Sequence, residues 1–363
     1  MTRPVGRRPG TASSGRGLRL PLDLSALGEF GLVERIAEAA AADAAGRLPG
    51  GYAVRGIGDD AAEVAGADGR ALVVTKDLLL EDVHFRRRWH PPRLLGRKTL
   101  AVNLSDVAAM GARPLAAFLG LGLPRGFPAP DLAEVLRGLL DLARAAGVRL
   151  AGGDTTRSRS GLVLSVTVIG LAARGGAVRR AGARPGDVIY VTGTLGDSAL
   201  GLALLARGRR LGRTRGAEAR LLRRHLDPTP RLLEGAAIGE GRLASAMIDL
   251  SDGLAADLGH VCEASGVGAR VDLARLPRSP AYRALARRLV PADPQAPAVG
   301  GGEDYELLFT VPPGRVAALE RTARRWPARP TAIGEVRPGR EGLVLLGEDG
   351  RPYAPPRAGF VHF

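Results

Sequence analysis

Apolar positions change their spacing several times along the chain, and each change marks an element. In "SALGEFGLVERIAEAA", Leu32, Ile36 and Ala40 recur at helical intervals and predict an amphipathic helix. "ALVVTKDLLL" is a β-rich run that ends against an acid and reads as a strand. "PPRLLGRKTLAVNLSDVAAMGA" reads as a helix that stops at Gly111, and "LAAFLGLGLP" as a buried strand closed by Pro124. "PDLAEVLRGLLDLARAAGV" predicts a further helix, with Pro130 before its start and Gly147 at its end. "RLAGGDTT" reads as a strand running into a glycine turn, and "GLVLSVTVIGLAA" as another strand.

Near Arg174 the pattern shifts. A turn, a strand and a glycine-opened helix in "RAGARPGDVIYVTGTLGDSALGLALL" begin a stretch in which strand and helix alternate to the C-terminus. The expected organisation is a tail over 1–24, an α+β domain over 25–174 and an α/β-like domain over 175–363. "NLSDVAAM" and "DLSDGLAA" resemble each other, one in each half, and hint at related half-structures.

Charge adds one puzzle. The formal net charge is +15, yet acids are concentrated in tight turns. The positive charge is almost all arginine, with lysine only at 76 and 98, and it is scattered without aromatic interleaving. Aromatics make up 4% of the chain, too few for a stacking platform, so nucleic acid is not expected as the main partner. The single cysteine, Cys262, excludes an internal disulfide framework and fits a reducing cytoplasm. No apolar run reaches the length of a membrane span, and the Arg/Gly-rich N-terminus lacks the apolar core of a secretory signal, so it reads as a disordered tail.

The acidic turns are "GIGDDAAEV" with Asp59 and Asp60, then "TKD", "NLSD", "GGDTT", "IDLSDG" and "GGEDYE". Taken singly, each has a plain structural account as a turn, a helix cap or a loop charge; Ser105–Asp106 and Ser251–Asp252 are good caps. Taken together, acids beside glycines at strand ends suit a hard cation that bridges carboxylates and substrate phosphates. No "GxxxxGK[ST]", kinase "HRD" or "DFG", or "GxSxG" is present. "GTLGDSALG" either cradles phosphate on backbone amides or makes a tight turn into a helix. His84 has no second histidine at metal spacing, so zinc is not expected, and nucleophilic catalysis at Cys262 is set aside.

In order, "GIGDDAA", "TKDLLLEDVHF", "KTLAVNLSDVAAMGARP", "AGGDTT", "RAGARPGDVIYVTGTLGDSALGL", "IDLSDGLAADLGH", "GGEDYELLFTV" and "IGEV" resemble the thiamine-monophosphate kinase family. The resemblance runs from "GEFGLVERIA" to the terminal "GFVHF". The wider superfamily of aminoimidazole ribonucleotide synthetase, selenophosphate synthetase and hydrogenase maturation proteins shares the acidic turns but not the whole set. The resemblance implies ATP-dependent phosphorylation of thiamine monophosphate to thiamine diphosphate, by direct in-line transfer with several Mg²⁺ ions. It implies that Asp60, Asp77, Asp106, Asp154, Asp249 and Asp252 hold magnesium, with Thr75 assisting. Gly153, Asp154, Arg180 and Ser251 would touch ATP, and His84, Glu303 and Phe360 the thiamine phosphate. It further implies two domains and a homodimer whose first-domain sheets join into a β-barrel, with ATP at that interface.

Asp59 and Asp304 adjoin these positions with no role assigned. Lys76 stands where the family commonly has a hydroxyl residue; its ammonium either replaces part of a metal charge near the phosphates or points to solvent. Phe360 stands where a tyrosine is common, so stacking survives and a hydroxyl contact does not. Other readings are a different ATP-using enzyme of the superfamily, such as a purine-pathway or selenophosphate-type synthetase, and a non-catalytic nucleotide-binding regulator.

Overall fold

The computed structural model describes residues 28–43, 52–66, 70–356 and 359; the stretch 1–24 and Phe360 lie outside them. Helix α1 (Gly28–Asp43) is the first predicted helix and belongs to a separate unit. The rest of the chain builds two six-stranded sheets with helices against them.

The first sheet comes from β1 (Ala53–Arg55), β2 (Ala62–Ala65), β3 (Ala71–Leu80), β4 (Ala112–Pro124), β5 (Arg149–Ser158) and β6 (Val163–Ala172). Helix α2 (Pro92–Ala109) falls between β3 and β4, and α3 (Ala129–Ala146) between β4 and β5. The strand order is β1-β2-β3-β6-β4-β5. Only β4 and β5 are parallel, because α3 carries the chain back across the sheet between them. Strand parity divides the faces. Val73, Val166, Val168, Ala117 and Leu119 meet Leu100, Leu104 and Val107 of α2 in one apolar cluster. On the other face Leu72, Leu78, Phe118 and Leu171 remain exposed. Helices α2 and α3 approach closely because each brings a glycine to the crossing. A Cβ on Gly96 would sit 1.8 Å from the Val135 carbonyl oxygen, and one on Gly138 1.8 Å from that of Arg93.

The second sheet comes from β7 (Val188–Thr192), β8 (Ala246–Asp249), β9 (Val267–Asp272), β10 (Leu307–Val311), β11 (Pro330–Pro338) and β12 (Leu343–Leu346). Between β7 and β8 lie α4 (Asp197–Ala206), α5 (Gly216–Leu226) and α6 (Leu232–Gly241). Then come α7 (Leu254–Ser265), α8 (Pro280–Leu289), α9 (Ala296–Gly300) and α10 (Val316–Ala323). The order is β12-β9-β11-β7-β10-β8, and only β12–β9 is parallel. The α/β-like expectation for this half is therefore corrected to a mixed, mostly antiparallel sheet. The alternation along the sequence is real, but β10 returns late in the chain and inserts antiparallel between β7 and β8.

Ile189, Val191, Ile248 and Leu308 face a core shared with α4, α5, α7 and α8. Tyr190, Met247 and Phe309 face the other way and meet Ile238 of α6, Leu319 of α10, and Ala108 and Ala109 of α2. Helix α2 is thus a shared layer between the two sheets. That explains why 13 of its 18 residues are buried, with no exposed polar stripe.

Two local expectations change. "RLAGGDTT" holds no turn: β5 runs straight through Gly152 and Gly153. Gly153, at φ +152°, lies so close to β4 that a Cβ would stand 1.9 Å from the Leu119 carbonyl oxygen. Asp106 is not a cap but lies inside α2, whereas Asp252 lies in the loop before α7, so the two similar octapeptides do not adopt the same local structure.

Candidate active site

Helix α2 brings acids from both sheets together. Thr75 and Asp77 share the helix-facing side of β3, since they are two residues apart. On the helix, Asn103 and Asp106 are three residues apart and face β3. The Asn103 amide donates to the Thr99 carbonyl, and its oxygen accepts from the Asp77 backbone N–H at 3.0 Å. Thr75 Oγ1 donates to Asp106 Oδ2 at 2.5 Å. From the second sheet Asp249 ends β8, and Ser105 Oγ donates to its Oδ2 at 2.5 Å.

The "GIGDD" loop completes this group. Arg180 Nη2 lies 2.6 Å from Asp60 Oδ1, and the Arg180 backbone N–H points at the Asp59 carboxylate at 3.3 Å. Asp60 Oδ2 is buried and has no hydrogen-bond partner.

The electrostatics follow from crowding acids out of water. Burial raises Asp60 to about 7, with Arg180 opposing the rise and Asp249 adding to it. Burial raises Asp77 and Asp249 to about 6. Burial and then Asp60 raise Asp59 to about 6. Asp106, buried and flanked by Asp77, Asp249 and Asp60, is pushed well above the usual carboxylate range. Asp252 contributes to the rise at Asp249 and at Asp257. Asp257 accepts from the backbone amides of Asp252 and Gly253 and so fixes the loop that holds Ser251 and Asp252.

The "EDYE" segment fans out from a strained backbone. Glu303 and Tyr305 have φ of +65° and +51°, two of only four non-glycine residues in that region among those described. Backbone bonds hold the strain: Glu303 N–H to the Ser251 carbonyl at 2.7 Å, and Tyr305 N–H to that of Leu250 at 2.9 Å. The four side chains then serve four places. Glu303 meets Lys98 Nζ at 2.7 Å and His225 Nδ1 at 3.1 Å. Asp304 accepts from the amides of Gly196 at 2.5 Å and Ser198 at 3.1 Å. Tyr305 packs beside Leu79 and Phe85; burial raises its hydroxyl well above 10, and Glu303, Asp77, Asp249 and Asp106 add to the rise. Glu306, fully buried, takes Arg231, Arg224 and Thr192.

Asp304 decides between the two readings of "GTLGDSALG": its carboxylate occupies the start of α4, so the loop is a tight turn into the helix. Gly196, at φ +82°, has no room for a Cβ, which would stand 2.6 Å from Tyr282.

Other expected residues are placed apart. Register sets Asp154 beside Gly120 and Gly120 beside Ser165, which faces away from α2, so Asp154 lies on the open side of the sheet from Asp77. Lys76 is exposed on that same side. His84 sits in the turn after β3, where its Nδ1 accepts from the Leu80 N–H at 3.0 Å. Phe360 lies outside the described residues. Cys262 is buried, and burial raises its thiol to about 11, which leaves no ready nucleophile there.

The sequence reading missed Lys98, His225, Asn103, Tyr305 and Glu306. Lys98 had a signal: it lies three residues after Leu95 and four before Val102, a charge on an apolar stripe.

The donor set fits magnesium. Aspartates and a threonine hydroxyl are the hard oxygen donors that ion takes. The partnerless Asp60 Oδ2 and the mutually raised acids are what a bound cation would relieve. Among the described residues no three His, Cys, Asp or Glu side chains are close enough to share one ion as they stand, so the fit lies in chemistry rather than in a preformed cage.

Comparison with known proteins defines the class first. Residues 58–172 match the family model "AIR synthase related protein, N-terminal domain", and residues 184–346 the corresponding C-terminal domain. Within that class, the thiamine-monophosphate kinase of Escherichia coli is 43% identical over 308 residues, 85% of this chain and 91% of that protein. That of Mycobacterium tuberculosis is 40% identical over 330 residues, 90% and 93% of the two chains. A solved structure of AaThiL complexed with AMPPCP and TMP superimposes with a TM-score of 0.80 at 33% identity, covering 95% of this chain and all of that one. The thiamine-monophosphate kinase from Stenotrophomonas maltophilia gives a TM-score of 0.71 at 40% identity, over 90% and 98% of the chains. The chain belongs to the thiamine-monophosphate kinase family.

Proposed function

We propose that this chain transfers the γ-phosphoryl group of ATP to thiamine monophosphate, giving thiamine diphosphate and ADP. The family assignment supports it, as does the AaThiL complex, which holds an ATP analogue and TMP together. The observation that carries it is the buried acid group with the orphaned Asp60 Oδ2, which calls for cations and, through them, phosphates.

The acceptor atom is a phosphate oxygen of thiamine monophosphate. One P–O bond to ADP breaks as a P–O bond to that oxygen forms. A phosphate monoester is mostly dianionic at neutral pH, with a second pKa of about 6, so no base has to remove a proton. This fits a site without a nucleophile or a catalytic histidine, and phosphoryl transfer mostly requires positioning and charge neutralisation.

Asp60, Asp77, Asp106, Asp249 and Asp252 would hold Mg²⁺, with Thr75; the ions would neutralise the polyphosphate. Asn103 holds the backbone at Asp77, while Ser105 aims the Asp249 carboxylate and Arg180 that of Asp60. Ser251, Gly153 and Arg180 would meet ATP, and His84 and Glu303 the acceptor. Asp154, on the open face, is a ligand that a second copy would bring in. The exposed Leu72, Leu78, Phe118 and Leu171 support a homodimer through that face, closing the two sheets into a barrel. We place the reaction in the cytoplasm, with which the single, buried Cys262 is compatible.

Purified protein incubated with ATP, Mg²⁺ and thiamine monophosphate tests the reading by chromatography. Equimolar thiamine diphosphate and ADP, both abolished by EDTA, are expected. ATP binding without thiamine diphosphate would reject the acceptor and point to another substrate of the superfamily.

A further inference from the structure

Lys98 is among the largest fully buried side chains of the described residues, with 1% of its surface exposed. A buried ammonium is strongly unfavourable unless it is paired. Its Nζ lies 2.7 Å from Glu303 Oε1 and donates to the His225 carbonyl at 3.2 Å. Glu303 retains 28% side-chain exposure, so the ion pair runs from the interior to the open side of the site. The second oxygen, Oε2, stands 3.1 Å from His225 Nδ1, which also faces Ser198 Oγ at 3.1 Å. Burial, reinforced by Lys98, lowers His225 to about 4 and His90 to about 3, so both rings are neutral near pH 7. Glu303 therefore owes its ionisation to the ammonium. Burial alone would raise it; the Lys98 charge is the largest opposing influence, and the acid lies below the ordinary glutamate value.

We propose that Lys98 is a positioning residue: it holds Glu303 as an aimed, ionised carboxylate facing the cationic, amine-bearing rings of the acceptor, and so sets affinity for that substrate without touching it. This rests on the reading of Glu303 as an acceptor contact. Glu303 Oε1 takes the Lys98 ammonium from behind and Oε2 lies beside the His225 ring, and both oxygens keep lone pairs for a ligand in front. The held carboxylate loses no rotamer freedom when the acceptor arrives. Lysine suits the place because its compact charge needs one carboxylate and one carbonyl, whereas a guanidinium would bring five donors into a closed space.

Steady-state kinetics of Glu303→Gln, Lys98→Met and the double variant test this. Lys98→Met is expected to raise the KM for thiamine monophosphate about tenfold, the effect of one charged hydrogen bond, with the KM for ATP changed by less than about twofold. In the double variant that KM should equal the value for Glu303→Gln alone, because Lys98 acts only through Glu303. An unchanged KM in Lys98→Met, an equal rise for ATP, or a double variant worse than Glu303→Gln overturns the proposal. If Lys98→Met does not fold, the double variant carries no unpaired acid, and its comparison with Glu303→Gln decides. An unchanged KM in Glu303→Gln itself would instead remove the acceptor contact, a failure distinct from that of Lys98.

Discussion

Two groups of buried acids line this site, and they are neutralised in different ways. Glu303 and Glu306 have protein cations: Lys98 for the first, Arg224 and Arg231 for the second. Of Asp60, Asp77, Asp106 and Asp249, Asp60 pairs with Arg180, whose charge also reaches Asp249, while Asp106 is crowded by the other three. The first group is electrostatically complete as folded. The second carries raised carboxyls that the proposed Mg²⁺ would relieve. Acids given their own cations are stabilised as folded, whereas acids crowded together out of water repel one another.

The largest expected effect separates the groups by one atom. Asp106→Asn should lower ATP-dependent turnover by at least about a hundredfold, as loss of a charge-stabilising group does. The same variant should be at least as stable as the parent without Mg²⁺, because it removes a like charge from a buried cluster. Glu306→Gln should act in the opposite sense on stability, losing about 3–5 kcal/mol, since two arginines keep their charge in a buried place without their partner. Chemical denaturation in EDTA checks both. If the two amides shift the midpoint in the same direction, the contrast fails.

A smaller effect appears as pH dependence. Asp59, Asp77 and Asp249 titrate at about 6 in the folded chain and Asp60 at about 7, each above the ordinary value of about 3.9. An acid with a raised folded pKa keeps its proton better when folded. Its contribution to stability is full below the unfolded pKa and is lost as pH rises through the folded one. The metal-free protein should therefore lose stability from about pH 4 to about pH 7, and Mg²⁺ should restore most of it at the upper end. Melting curves across that range, with and without Mg²⁺, measure it; roughly 2–4 °C accompanies each kcal/mol. A metal-free Tm that rises over the window would contradict the raised pKa values.

Smaller still is the backbone at the start of α4. Gly196→Ala should destabilise by about 1–3 kcal/mol, through both its positive φ and its contact with Tyr282, and should leave the Mg²⁺ titration in place. A shifted titration would mean that the glycine-rich turn does meet phosphate.

Much of this was legible in the chain. Strand parity puts Thr75 and Asp77 on one side, and apolar spacing marks α2 and α3. What could not be read is long-range. Nothing local shows that β10 inserts between β7 and β8, which turns an apparent α/β alternation into a mixed sheet. Nothing local shows that Asp77 of the first sheet and Asp249 of the second converge beside Asp106 of α2. Glycine misled at Gly152 and Gly153, where it serves close strand packing rather than a turn. Glu303 was found through the family resemblance, while the residue that holds it, Lys98, was hidden in a helix whose polar positions are buried because both sheets need it.

The two lysines bring the comparison to its finest point. In a chain so rich in arginine, composition alone marks both; burial separates them. Lys98 lies inside, with two acceptors. Lys76 lies between Thr75 and Asp77, so strand parity turns its ammonium to the other face of the sheet, where it is exposed beside Thr167 and Phe118. Within one chain it cannot stand in for a metal charge among the acids that Thr75 and Asp77 join. Lys76→Thr should thus leave the Mg²⁺ dependence of turnover unchanged, within about twofold at most, as expected for a surface charge. A titration displaced to higher Mg²⁺ would show that the ammonium does neutralise phosphate. Because it points away from its own acid group, that result would assign its action to the site of a second copy paired through the open face.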